Sequence, residues 1–171
     1  MGLCVLLAVI AAVGPAGCGE QPPAPPTDAV GREAMVWITQ LAKGDPAQRE
    51  QAVGKLATID HPSVVTPLIN AARYDNQLHI RIAALRGLAR PQLVQDIQPL
   101  LGLMSSPEDE VRLGAVELMG RLKAAEAADA LTQCISDKNS AVRLAAIHAL
   151  GQLGPDAMAR VQTIFREGSL D

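Results

Sequence analysis

The chain has 171 residues, a formal net charge of -3 and three aromatic residues, Trp37, Tyr74 and Phe165. So mild an acidity provides no clustered basic surface, which excludes nucleic acid from the expected partners. Alanine and leucine supply most of the apolar content and favour helix.

In chain order, the first feature is an unbroken apolar run of eleven residues, Leu3 to Val13. A membrane-spanning helix needs roughly 20 such residues, whereas a signal-peptide core is this short. Small residues then lead into a cysteine, Pro15-Ala16-Gly17-Cys18. The junction resembles the lipobox of bacterial lipoproteins, in which cleavage precedes the cysteine and its thiol carries a diacylglycerol. That resemblance implies a signal peptide over residues 1–17 and Cys18 as both lipidation site and mature N-terminus. Pro15 stands where the family has leucine or another aliphatic residue, and the leader lacks Lys and Arg. Ordinary signal-peptidase cleavage therefore stays open as a second reading. An uncleaved apolar helix is a third, which Gly14 and Pro15 would break.

Residues 18–27 come next, as the lipidated cysteine and a tether. Glu20 to Thr27 reads EQPPAPPT, four prolines in eight residues, which stays extended and holds the folded body roughly 25 Å from a membrane. In Gram-negative lipoproteins an aspartate after the lipidated cysteine favours inner-membrane retention. Gly19 here implies a lipid-anchored protein of the cell envelope, on the periplasmic side of the outer membrane.

Residues 28–171 carry an internal repeat. Arg49, Arg81, Arg112 and Arg143 are spaced by 32, 31 and 31 residues, a period that signals a stacked array. Alanine stands three positions after each arginine, at Ala52, Ala84, Ala115 and Ala146. An apolar residue stands four after it (Val53, Leu85, Val116, Ile147) and another seven after it (Leu56, Leu88, Met119, Leu150). With Ile80, Val111 and Val142 just before the arginine, these positions fall on one helix face. A break containing Pro62, Pro91 or Pro155 precedes a second helix, predicted at VVTPLINAA, VQDIQPLLGLM, AADALTQCI and MARVQTIF. Each repeat is thus a helical hairpin, over about residues 43–74, 75–104, 105–135 and 136–167. Asp28 to Ala42 supplies a further helix that caps the first repeat.

The succession Asp137, Val142, Arg143, Ala146, Leu150 and Gly151 resembles HEAT repeats, and the short period resembles the subclass first described in phycobilisome lyase subunits. The fold class implied is all-α, a right-handed α-solenoid of about four HEAT-like hairpins plus the N-terminal capping helix. Thr66-Pro67-Leu68 matches an ankyrin phrase but occurs once, and no tetratricopeptide pattern recurs. In HEAT repeats the arginine and the aspartate six before it form a polar ladder linking successive repeats. The resemblance carries this structural role to Arg49, Arg81, Arg112 and Arg143, with Asp75 and Asp137 as partners. Lys43 and Ser106 occupy the aspartate position in the other two repeats. There Asp45, Glu108 or Asp109 substitutes, or the ladder is incomplete. The alternative for Arg143, a phosphate or carboxylate site beside His148, gives way to this reading.

Other chemistry is thin. Cys134 shares a column with Ala71, Leu103 and Phe165, so it reads as core rather than nucleophile. His61, His79 and His148 fall in different columns, and no spacing suits a metal. No cofactor, metal or catalytic constellation is expected. In HEAT arrays the second helices line the concave side, where Thr66, Gln98, Asp129 and Arg160, with Asn70 and Gln133 one turn on, form a mainly polar strip. That strip is the candidate surface for an unidentified protein partner, set against an ordinary solvated face. The function expected is a membrane-anchored interaction scaffold. The alternative is lyase or lyase-subunit activity by analogy with the phycobilin lyases, an analogy resting on fold alone.

Overall fold

In the described part of the chain, residues 28–167 of the computed structural model, some helices begin where a side chain takes up an open N–H group of the first turn. Asp28 accepts from the Gly31 N–H at 2.6 Å to open α1 (Ala29–Lys43). Asp45 and Gln48 form a reciprocal capping box, with Pro46 at the first helical position, to open α2 (Pro46–Leu56). The chain continues through α3 (Val65–Tyr74), α4 (Leu78–Gly87), α5 (Gln98–Leu101), α6 (Asp109–Leu122), α7 (Ala128–Cys134), α8 (Ser140–Leu153) and α9 (Pro155–Glu167). Short 3-10 turns at Pro62–Val64 and Ala125–Ala127 lead into α3 and α7, and Gly102–Ser105 extends α5. No strand occurs among the described residues.

Two layers result. The arginine-bearing helices α2, α4, α6 and α8 pack each against the next, while α1, α3, α5 with its 3-10 extension, α7 and α9 form the second layer. This is an α-solenoid. The repeat columns explain it: Ala52, Ala84, Ala115 and Ala146 are all fully buried, as are Leu56, Met119 and Leu150, with Leu88 nearly so. Small residues set the closest approaches within the first layer. A side chain at Gly120 of α6 would meet the Ala149 methyl of α8 at 2.9 Å, and one at Gly87 of α4 would meet Ala57 at the same distance. Ile147, in an otherwise buried column, is only half-buried in α8. The described first layer ends there.

Breaks between the helices have local causes. Lys123 adopts a left-handed conformation (φ 51°) that ends α6, and Gly154 at φ 114° allows the tight passage from α8 to α9. The helix expected over residues 94–104 is shorter than the sequence suggested. Only Gln98–Leu101 is α-helical, and residues 88–97 run as turns and irregular chain. Asp96 accepts from the Gln98 N–H at 2.9 Å, and Pro99 lacks an N–H and disfavours helix in the residue before it. A helical start upstream of Asp96 is therefore blocked. Arg90 holds the irregular segment instead, donating to the carbonyls of Gly87 (3.1 Å), Ile59 (2.6 Å) and Leu56 (3.2 Å).

The capping helix α1 heads the second layer, packing along α2 and beside the turn that precedes α3. Trp37 and Ile38 press against the core from it. Among the described residues no helix is long and apolar enough to cross a membrane. The signal peptide, Cys18 and the tether predicted from the sequence lie outside the described residues.

Candidate functional site

The four periodic arginines lie at the leading turns of α2, α4, α6 and α8, so one stacking operation places them in a row. Each bond from one of them to an acid of another repeat runs forward. Arg49 donates through Nε to Asp75 Oδ2 at 2.8 Å and through Nη2 to Oδ1 at 3.2 Å, and reaches Asn76 at 2.7 Å. Arg112 repeats the fork on Asp137, at 2.8 and 2.9 Å. Asp75 therefore serves the arginine of the repeat before it, although it is aligned by sequence with Arg81.

Arg81 departs from this pattern. The aspartate position of the next repeat holds Ser106, and Glu108 substitutes, accepting from Arg81 Nη2 at 2.7 Å and from the Ser106 hydroxyl at 2.7 Å. A carboxylate displaced in this way takes one bond instead of two. Arg81 Nε is left buried without a hydrogen-bond partner. Asp109 plays a different part, bracing Arg112 from its own repeat at 2.8 Å while accepting from Asn139 at 2.8 Å. Asp45 caps α2.

A second set of bonds is internal to the repeats of Arg49, Arg112 and Arg143. Arg49 donates to the Gly44 carbonyl, Arg112 to those of Ser106 and Pro107, and Arg143 to those of Asp137 (2.9 Å) and Lys138 (3.2 Å). Arg143 is thus tied to its own inter-repeat loop. His148 lies elsewhere, exposed on the outer face of α8, with Gln152 3.4 Å from its Nδ1.

The ladder sets the ionisation of its acids. Hydrogen bonds from Arg81 and then Ser106 pull Glu108 from 4.5 down to about 2. Asn139 and Arg112 bring Asp109 from 3.8 to about 2. Arg112 lowers Asp137. Burial would raise Asp75, but the bonds from Arg49 and the Gln77 N–H outweigh it and leave it lowered. The Arg112 guanidinium, in a residue only 5% exposed, is driven further into its charged form, chiefly by Asp137. Burial raises the Cys134 thiol, as suits a core position.

Of the second-helix strip, Thr66 and Asn70 on α3, Gln98 on α5, and Asp129 and Gln133 on α7 are all exposed. The Arg160 side chain lies outside the described residues. One further position continues the strip. Tyr74, a turn beyond Asn70, is 68% exposed and has the Arg73 guanidinium 4.8 Å from its ring centre. Its spacing of four from Asn70 is the signal that would have found it.

Grooves flank the α3 part of the strip. One of about 580 Å³ between α1 and α3 has Ile38, Leu41, Lys43, Pro67 and Tyr74 in its lining. Another, of about 410 Å³, separates α3 from the 93–99 connection and is lined by Pro62, Val65, Ile69, Leu93 and Pro99, with Thr66 and Asn70. A third, of about 680 Å³, lies on the opposite layer between α6 and α8, around Leu113 and Leu144. No group of three or more His, Cys, Asp or Glu among the described residues is placed to hold a metal ion.

A family model for HEAT repeats matches residues 34–113 and again residues 97–169. The chain belongs to the HEAT-repeat family. No curated protein matches the sequence. HEAT repeats serve in general as protein-interaction scaffolds and are typically non-catalytic. In this HEAT array the arginine row binds repeat to repeat, and the exposed second-helix strip remains as the candidate surface for a partner.

Proposed function

We propose that this HEAT array is a membrane-anchored scaffold of the bacterial cell envelope, of the short-period subclass, lipidated at Cys18 and docking a protein partner on its second-helix surface. The observation that carries the docking surface is Tyr74. An exposed tyrosine stacked by an arginine, at the end of a polar column and beside an apolar groove, has the composition of an interface hot spot. The polar strip from Thr66 to Gln133 then supplies a hydrogen-bonding rim, and the anchor confines the search for a partner to the membrane surface.

Crosslinking capture from intact membranes tests the reading. Wild-type protein is expected to retain a discrete partner, and Gln98→Lys with Asp129→Lys, or Tyr74→Ser alone, to weaken its capture at unchanged melting temperature. Equal capture by all three proteins overturns the assignment of this surface.

A further inference from the structure

We infer that the free edge of α8 is the seat of a second copy of this chain, the two α8 helices packing antiparallel about a two-fold axis near Ile147.

The stacking columns show an edge equipped to receive a helix. Between internal repeats, the residue four after the periodic arginine is a knob and the residue eight after it lies in the close approach to the next helix. Leu85 of α4 comes within 3.1 Å of where a side chain would start at Gly114 of α6, and Gly120 of α6 lies against Ala149 of α8. On α8 the same two columns hold Ile147 and Gly151. Ile147 is half-buried where Val53 and Val116 are fully buried, and Gly151 is exposed where Gly120 is buried. Leu144 beside them is 69% exposed. Arg143 completes the set: among the described residues it alone of the four arginines grips no acid of a following repeat, and its bonds to the loop carbonyls use Nη1 only.

The other end of the array is closed. The positions of α2 that correspond to Gly114 and Ala149 hold Gln51 and Lys55. Both are engaged by α1, Gln51 accepting from Gln40 Nε2 at 3.3 Å and the Lys55 ammonium standing 5.8 Å from the Trp37 ring centre. Long polar side chains offer no seat for Ile147, so copies do not continue head to tail. The fit left to a second copy is edge to edge, which closes into a dimer instead of growing into a filament.

Shape makes the edge complementary to itself. Leu144 and Gly151 are seven residues apart, nearly two helical turns, and so share one face with Ile147 between them. In an antiparallel pair centred there, Leu144 of each copy enters the hollow at Gly151 of the other. The two Ile147 side chains then meet at the axis. A side chain started at Gly151 would have only Met158 Sδ near it, at 3.9 Å, so the hollow is open.

Charge agrees with shape. No basic residue stands in the last turn of α8, which leaves the partial negative charge of its final carbonyls unanswered. Asp156, exposed in the first turn of α9, lies just beyond them. Arg143 is at the opposite end of the helix, held against the carbonyls of Asp137 and Lys138. Antiparallel packing brings the Arg143 of each copy to the α8 C-terminus of the other, where Nε and Nη2 find the acceptors that a following repeat would have supplied. The second-helix strip lies on the other layer, so both copies keep it open.

The test uses the purified full chain, heavy-isotope and unlabelled copies mixed in equal amounts, with detergent micelles in excess over protein. A photo-crosslinking amino acid is placed at Leu144, or at Val36 of α1, 63% exposed on the other layer, as control. Irradiation of the Leu144 protein is expected to give covalent dimers of mixed label, mapped from position 144 to residues 148–152 of the other copy. Gly151→Lys fills the hollow and puts its own donor at the carbonyls that Arg143 of the other copy reaches. A lysine in the last turn suits the helix, so this variant should keep its melting temperature and lose the crosslink to the Val36 background. A Leu144 yield no greater than that background, links that map to α2, or an undiminished yield in Gly151→Lys would each overturn the pairing. No other protein enters the measurement, so its outcome is separate from that of the docking surface.

Discussion

Arg112 grips both carboxylate oxygens of Asp137, 25 residues on, at 2.8 and 2.9 Å, and is braced from behind by Asp109 at 2.8 Å. This is the most completely satisfied rung of the ladder. It joins α6 to the start of the next repeat, where Asp137 also accepts from the Asn139 N–H at 2.7 Å.

Removing that arginine should therefore be costly without touching the candidate binding surface. Arg112→Ala takes the guanidinium away from two carboxylates and two loop carbonyls. The expected loss is about 3 kcal/mol, read from denaturant unfolding. Arg112→Lys should recover only part of it, because an ammonium cannot reproduce the fork. Wild-type stability in Arg112→Ala together with lost partner capture would make the residue functional instead of structural.

The rung between α4 and α6 invites the opposite experiment. Arg81 Nε is buried without a partner because Ser106 occupies the position that aspartate holds in the neighbouring repeats. Ser106→Asp combined with Glu108→Gln copies the pattern of Asp75 with Gln77 and offers Arg81 a bidentate acceptor. The double variant should gain about 1 kcal/mol, visible as a raised melting temperature. A lowered one would mean that the geometry around Glu108 cannot be replaced.

What the sequence revealed and what it hid divide along periodicity. Arg49, Arg81, Arg112 and Arg143 announced themselves because stacking demands the same donor once per repeat, and the alanine column because two helices must approach closely there. Which acid each arginine grips was hidden. Asp75 lies six residues before Arg81 in sequence, yet the solenoid turn carries it to Arg49, a relation fixed only in three dimensions. Arg90 and the shortened α5 escaped for the converse reason, since each occurs once: a single arginine reaching back to the end of α2, and the Asp96 turn with Pro99 that denies one repeat its full second helix. Tyr74 escaped because the strip was followed across helices and not one turn further along α3.

Acid should loosen the ladder in a definable window. Glu108 and Asp109 are lowered from 4.5 and 3.8, respectively, to about 2 in the folded chain, so their contribution is complete above the unfolded values and disappears as pH falls through the folded ones. The melting temperature should therefore decline between about pH 4.5 and pH 2. Glu108→Gln should lie below wild type at neutral pH and approach it at the acid end. Parallel curves for the two proteins would remove Glu108 from the account.

The anchor makes the last prediction, and the sequence alone motivates it. If Cys18 ends a lipoprotein-type junction, cells given labelled fatty acid should yield a labelled protein that partitions into membranes. Cys18→Ala should lose the label and accumulate as uncleaved precursor, since the peptidase for that junction acts on the modified cysteine. Because the array begins at Asp28, beyond the tether, its melting temperature should be the same in both proteins. An unlabelled, soluble wild type cut near Ala16 would replace the anchor with simple secretion and leave the ladder and the strip unaffected.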